Sequence, residues 1–162
     1  MRIVERKTSY QLKMNTPRKS DSLEQQAAEI EMLRALEAKL GLRFDSNATL
    51  PIDVGVQPDA IDTKNKTVAE AYARIGAVKG AQLHKIKGDI LKLALIGRRL
   101  GDDWRKVFCF ASNEAAGYAS ENSWVAEAAH EFAIEVIVVE IPDDVRESVV
   151  HAQSRQRMVN PE

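Results

Sequence analysis

"QPDAIDTKNKTVAEAYAR" (residues 57–74) decides how this chain is read. Two short runs, "PDAID" and "TVAEAYAR", flank the polar "TKNK", the pattern of two strands joined by a turn. Side chains alternate along a strand. Val68, Glu70, Tyr72 and Arg74 therefore share one face of the second run, and Thr67, Ala69, Ala71 and Ala73 share the other. The small face lets a helix approach closely, and the larger face carries the polar chemistry. A two-residue turn at Lys64-Asn65 or Asn65-Lys66 brings Asp59 beside Glu70, whereas a three-residue turn brings Asp62 and Ala60 there instead. The sequence leaves Asp59 and Asp62 as alternatives.

Outward from this hairpin the chain reads as an α/β protein. Residues 21–41 form a helix, with Leu23, Ala27, Ile30, Leu33, Leu36 and Leu40 at helical spacing. Asp21 and Glu24 are spaced as a capping box, and Gly41 is a stop signal. "IDVGV" (52–56) reads as a short strand. Residues 78–99 form a second helix, with Leu83, Ile86, Ile90, Leu93, Ala94 and Gly97 on one face. "RKVFCFAS" (105–112) is a buried strand, "SNEAAGY" (112–118) a polar connection, and "SENSWVAEAAHEF" (120–132) a helix capped by Ser120, with Ser123 close by. The β-branched "AIEVIVVEI" (133–141) is a strand ended by Pro142. The order is α-β-β-β-α-β-α-β. Helix-separated strands pair in parallel and the hairpin is antiparallel, which gives a mixed sheet with helices on its faces. Residues 1–20 form a basic arm, 21–142 the folded domain, and 143–162 a short helix that frays into a tail.

At 162 residues, 44% hydrophobic and 29% charged, the composition is that of one globular domain rather than a disordered or fibrous chain. No apolar run reaches the roughly 20 residues of a membrane helix, and the first residues lack an apolar signal core. A cytoplasmic protein with no membrane partner is expected. Cys109 is the sole cysteine, which excludes an internal disulfide and a thiolate zinc cluster; inside "VFCFAS" it reads as core. His84, His130 and His151 fall on three elements without metal-ligand spacing. The net charge of −1 hides +6 over residues 1–99 and −7 over 100–162. The basic part suits a local nucleic-acid surface, and the acidic final third suits a protein partner.

The residues of the hairpin supply a chemistry. Carboxylates hold a hard cation such as Mg²⁺, which takes oxygen ligands. That cation activates water and offsets charge on a phosphate, and a nearby protein cation assists. Pro58-Asp59 followed by Glu70-Ala71-Tyr72, inside an α-β-β-β-α-β order and before the basic helix "KGAQLHKIKGDILKL" (79–93), resembles the PD-(D/E)xK, or restriction-endonuclease-like, nuclease superfamily over roughly residues 21–140. Tyr72 stands where that family keeps a lysine.

The resemblance implies a restriction-endonuclease-like core and Mg²⁺- or Mn²⁺-dependent hydrolysis of DNA, without an organic cofactor. It implies Asp59 and Glu70 as metal ligands, with Glu29 of the first helix as a further candidate. Tyr72, Arg74, Lys79 and Gln82 stand near the scissile phosphate. The lysine's role passes to Arg74, or to Lys79 or Lys85 from the helix, or is lost in a non-catalytic binding module. Lys79 and Gln82 fall on the inward side of that helix, and Lys85, Asp89 and Lys92 form a more outward stripe. Lys85, Lys87, Lys92, Arg98 and Arg99 are candidates for backbone phosphates, which position a duplex without reading its sequence. A homodimer is expected, with the final strand and Trp124 as interface material.

Overall fold

The alternation along residues 67–73 organises the whole molecule. A computed structural model describes residues 22–47 and 49–159. Strand β1 (Ala60–Asp62) pairs antiparallel with β2 (Thr67–Tyr72), and β3 (Arg105–Phe110) and β4 (Ile134–Val138) follow in parallel, giving a four-stranded sheet in the order β1-β2-β3-β4. Ala69, Ala71 and Ala73 pack into one core with Ala28, Met32, Leu33 and Leu36 of helix α1 (Leu23–Leu40). Val149 of helix α5 (Asp143–Val159) enters the same core. Val68 and Tyr72 face the opposite core, built by α2 (Ala81–Leu100), α3 (Asn113–Ser120) and α4 (Trp124–Glu131). The small-residue face thus meets α1 and the larger face meets α2, as the alternation requires. The mixed sheet covered by helices on both faces is the expected class.

The observed order is α-β-β-α-β-α-α-β-α, and it departs from expectation in four places. "IDVGV" is not a strand. Gly55 has φ +76 and its N–H bonds the Asp53 carboxylate at 3.0 Å, so a local turn consumes the backbone that a strand needs. "SNEAAGY" is not an open connection. Ser112 caps α3 by accepting from the Ala115 N–H, and Ala115, Ala116 and Ala119 are buried at helical spacing. Ser123, not Ser120, caps α4. The final helix is not short: it runs 17 residues and buries Val149, Ala152 and Gln153.

Caps elsewhere shift by a residue. Ser22 caps α1 in a box closed by Gln25, and Asp21 lies outside the described residues, as does the basic arm. Among the described residues no helix is long and apolar enough to cross a membrane.

The hairpin register is fixed by Asp62. Its carboxylate accepts from the Arg43 N–H at 2.8 Å, the Asn65 N–H at 2.9 Å and the Asn65 side-chain amide at 2.6 Å. Burial acts to raise its pKa, but these hydrogen bonds outweigh it and hold the carboxyl below its ordinary value. That stability is fully present above the ordinary carboxylate range and is lost as pH falls through the depressed folded value. Asp62→Ala orphans these donors and is expected to cost about 2–3 kcal/mol in urea denaturation at neutral pH. A loss under about 0.5 kcal/mol would remove Asp62 from this role.

Candidate functional site

The pairing Ala60↔Ala69 and Asp62↔Thr67 places Asp59 level with Glu70 on the α2 side of the sheet. This is the register of a turn centred on Lys64-Asn65, and it resolves the two alternatives. Asp59 lies beside Glu70, and Asp62 serves the turn. The Asp59 N–H donates to Glu70 Oε1 at 3.3 Å, and the Ala71 N–H donates to Asp59 Oδ2 at 3.0 Å. Glu70 is 1% exposed and lies in a layer with Val68, Tyr72, Phe108 and Phe110. Its Oε2 is buried with no hydrogen-bond partner. Such an atom is costly and calls for a physical reason.

Three residues of α2 complete the cluster. Lys92 Nζ lies 2.8 Å from Glu70 Oε1 and 3.8 Å from Asp89 Oδ1, and Lys85 Nζ lies 3.3 Å from Asp89 Oδ2. Asp89 is buried, at 8% exposure. Lys85, Asp89 and Lys92 recur at i, i+4 and i+7, so they line one flank of the helix. Their stripe is not outward. Ile86, Ile90 and Leu93 seat α2 on the sheet, and the flank beside them overhangs the β1-β2 hairpin, where a lysine's long stem reaches the carboxylates. Lys92 is therefore a partly buried partner of Glu70 and Asp89 rather than a surface contact. Asp89 escaped the sequence reading as a site residue. Its one visible signal is an acid placed between Ile86, Ile90 and Leu93.

The electrostatics follow from burial. Desolvation, then the charge of Asp59, pushes the Glu70 carboxyl well above its ordinary range, against the pull of Lys92. Desolvation likewise raises Asp89 although Lys85 and Lys92 oppose it. Burial alone lowers a lysine, yet Glu70 and Asp59 together raise Lys92, so its ammonium is retained. Burial pushes the Tyr72 phenol up to about 12, despite the nearby charges of Arg74 and Lys85. Tyr72 is thus a neutral hydroxyl, and it donates to Gln82 Oε1 at 3.1 Å.

The other candidates disperse. Arg74 bonds Gln156 of α5 at 2.9 Å and does not reach Glu70 through that contact. Lys79 precedes α2 and is exposed, rather than facing inward from the helix. Glu29 lines a small pocket with Tyr72, Arg74, Gln82 and Lys85, a pocket that Asp59 and Glu70 do not line. Lys87 lies 5.4 Å from the centre of the Trp124 ring, which is 68% exposed. Arg98 and Arg99 are exposed in the last turn of α2. Cys109 is buried and its thiol is pushed up to about 12 by desolvation, which removes it as a nucleophile.

Among the described residues no three His, Cys, Asp or Glu side chains stand together as a ready metal-ligand set. The arrangement offers instead two adjacent carboxylates, one with an unsatisfied oxygen, and a fixed ammonium. No protein-family model, curated protein or solved structure matches the chain.

Proposed function

We propose that this chain is a restriction-endonuclease-like nuclease that hydrolyses DNA phosphodiesters with Mg²⁺ or Mn²⁺. The observation that carries this reading is the buried Glu70 Oε2, unsatisfied beside Asp59. Mg²⁺ is usually held by one or two carboxylates, with waters and substrate phosphate oxygens completing its shell, so a preformed cage of three is not required. Asp59 and Glu70 would hold the ion. A bound divalent cation supplies charge neutralisation and a more acidic water.

The remaining roles belong to the chain itself. The Lys92 ammonium, already fixed by Glu70 and Asp89, places a positive charge where a phosphate gains negative charge during cleavage. Lys85 holds Asp89 in place and so preserves that geometry. Tyr72 and Gln82 form a hydrogen-bonded pair beside the reacting region. Lys87, Arg98 and Arg99 would contact backbone phosphates.

The test is cleavage of end-labelled single- and double-stranded DNA with Mg²⁺ or Mn²⁺. Asp59→Asn should lower the rate by about 100-fold or more. Equal rates for the variant and the wild type would remove Asp59 from the site.

One observation favours a second reading. Glu70 is 1% exposed and already ion-paired, so the cluster could serve a non-catalytic binding module whose acidic final third meets a protein partner. In that case the wild type cuts neither DNA form, and Mn²⁺ leaves its melting temperature unchanged.

A further inference from the structure

Beyond the carboxyl ends of β3 and β4 the chain leaves the sheet in opposite directions. After β3 it turns to the α2 side, where α3 and α4 bury Ala115, Ala119, Val125 and Ala129. After β4 it turns to the α1 side, where α5 buries Val149. Parallel neighbours whose chains part in this way leave a crevice between their ends, the place where open α/β sheets bind ligands. A groove of ≈ 1140 Å³ lies there. Residues 111–114 line it from the end of β3, and residues 138–141 from the end of β4. Ala35, Ala38 and Lys39 of α1 and Asp143 and Arg146 of α5 form its other walls. No residue of the Asp59–Glu70 cluster lines it.

The lining has three kinds of surface. The first is apolar: Ala111, Val139 and Ile141 are buried at its base, and Ala35 and Ala38 keep the α1 wall low. Such a slot suits a planar ring. The second is cationic. Lys39 Nζ donates to the Val138 carbonyl at 3.2 Å, and Arg146 Nη1 donates to the Ala111 carbonyl at 3.1 Å. Phe110 pairs with Val138, so these carbonyls lie on neighbouring strands within one residue of register. Both cations are fixed by neutral oxygens, so these contacts leave their charges uncancelled. A guanidinium has five N–H donors and an ammonium three, so each keeps donors for a ligand. The third is acidic. Ser112 holds Glu114 by donating to its Oε2 at 2.7 Å, and Glu140 stands exposed just beyond β4. An acid at the end of a strand is placed to accept from the hydroxyls of a ribose.

We propose that this groove binds a free nucleoside monophosphate. The base lies on the apolar floor, Lys39 and Arg146 hold the phosphate, and Glu140 accepts from the ribose hydroxyls. A phosphate monoester bears about −1.5 to −2 charge at neutral pH, which two cations balance. Small-molecule sites commonly span about 300–1,000 Å³, so a groove of this size takes a whole nucleotide and is far too roomy for phosphate alone. The proposal stands apart from the nuclease reading, since neither carboxylate of that site takes part.

Calorimetric titration of the full chain in EDTA tests it, with AMP, GMP, 2′-deoxy-AMP, adenosine and inorganic phosphate as probes. AMP or GMP should bind saturably with a Kd below about 1 mM. AMP should bind about tenfold tighter than adenosine or inorganic phosphate, and about fivefold tighter than 2′-deoxy-AMP. Arg146→Gln should weaken AMP about tenfold and Arg146→Lys should restore part of it. Glu140→Ala should erase the advantage over 2′-deoxy-AMP. Ala38→Trp fills the groove from an exposed position of α1 and should abolish binding without lowering the melting temperature. Glu70→Gln should bind AMP as the wild type does. No saturable binding of AMP or GMP up to about 1 mM overturns the proposal. So does binding that survives Ala38→Trp, or inorganic phosphate or 2′-deoxy-AMP binding as tightly as AMP. Nucleotide binding without cleavage of any DNA keeps this site and removes the nuclease. Cleavage without nucleotide binding does the reverse.

Discussion

Glu70→Gln should make the protein more stable and less active at once. In the wild type, burial and the neighbouring Asp59 raise the Glu70 carboxyl well above its ordinary value. A carboxyl shifted upward in the folded state contributes stability that is fully present below the ordinary carboxylate range. That stability is lost as pH rises through the raised folded value. Above the raised folded value the buried charge therefore opposes folding. A glutamine keeps an oxygen for Lys92 and the Asp59 N–H, and it carries no charge into the buried layer. The gain should be about 1–2 kcal/mol, or about 3–6 °C in melting temperature for a domain of this size. The gain should shrink as pH falls toward the ordinary carboxylate range. Cleavage should fall by about 1,000-fold, because an amide is a poor substitute for a charged oxygen ligand. A variant that melts several degrees lower than the wild type at neutral pH would contradict this account of the site.

Lys92→Met should have the opposite effect on stability. Lys92 is the closest cation to Glu70, and Asp59 and Asp89 act on the same ammonium. Removing it takes away the ammonium on which Glu70, Asp59 and Asp89 all act, and Lys85 remains beside Asp89. Removing one partner of a buried pair costs about 3–5 kcal/mol. Denaturant melts in EDTA should show this loss. Mn²⁺ should return part of it, since a ligand that binds only the folded state stabilises that state by mass action. Stability equal to the wild type in EDTA would mean that Lys92 does not balance the cluster. A large loss with no recovery in Mn²⁺ would leave Lys92 a structural residue only.

The hairpin was legible because its alternation is unambiguous. Ala69, Ala71 and Ala73 admit only a closely packed helix, and Val68, Glu70 and Tyr72 take the other side. The choice between Asp59 and Asp62 was not legible, because a turn one residue longer reverses every side chain. The three hydrogen bonds to Asp62 that settle it come partly from Arg43, 19 positions away. The roles of Lys92 and Asp89 were hidden for a different reason. A helical wheel gives relative angles within α2 but not the direction of the hairpin beside it. A flank adjacent to the apolar stripe can face solvent or a buried carboxylate, and only the seating of Ile86, Ile90 and Leu93 on the sheet decides. Helix α3 was hidden by Gly117 and a polar start, although Ser112 and the three buried alanines carry its signal.

Calorimetric titration of Mn²⁺ into the full chain, wild type beside Glu70→Gln, tests the central claim most directly. The wild type should show saturable binding that Glu70→Gln abolishes while its melting temperature stays at or above that of the wild type. No binding to the wild type, or an affinity unchanged in the variant, would contradict the claim that the unsatisfied Glu70 oxygen is a place kept for a cation.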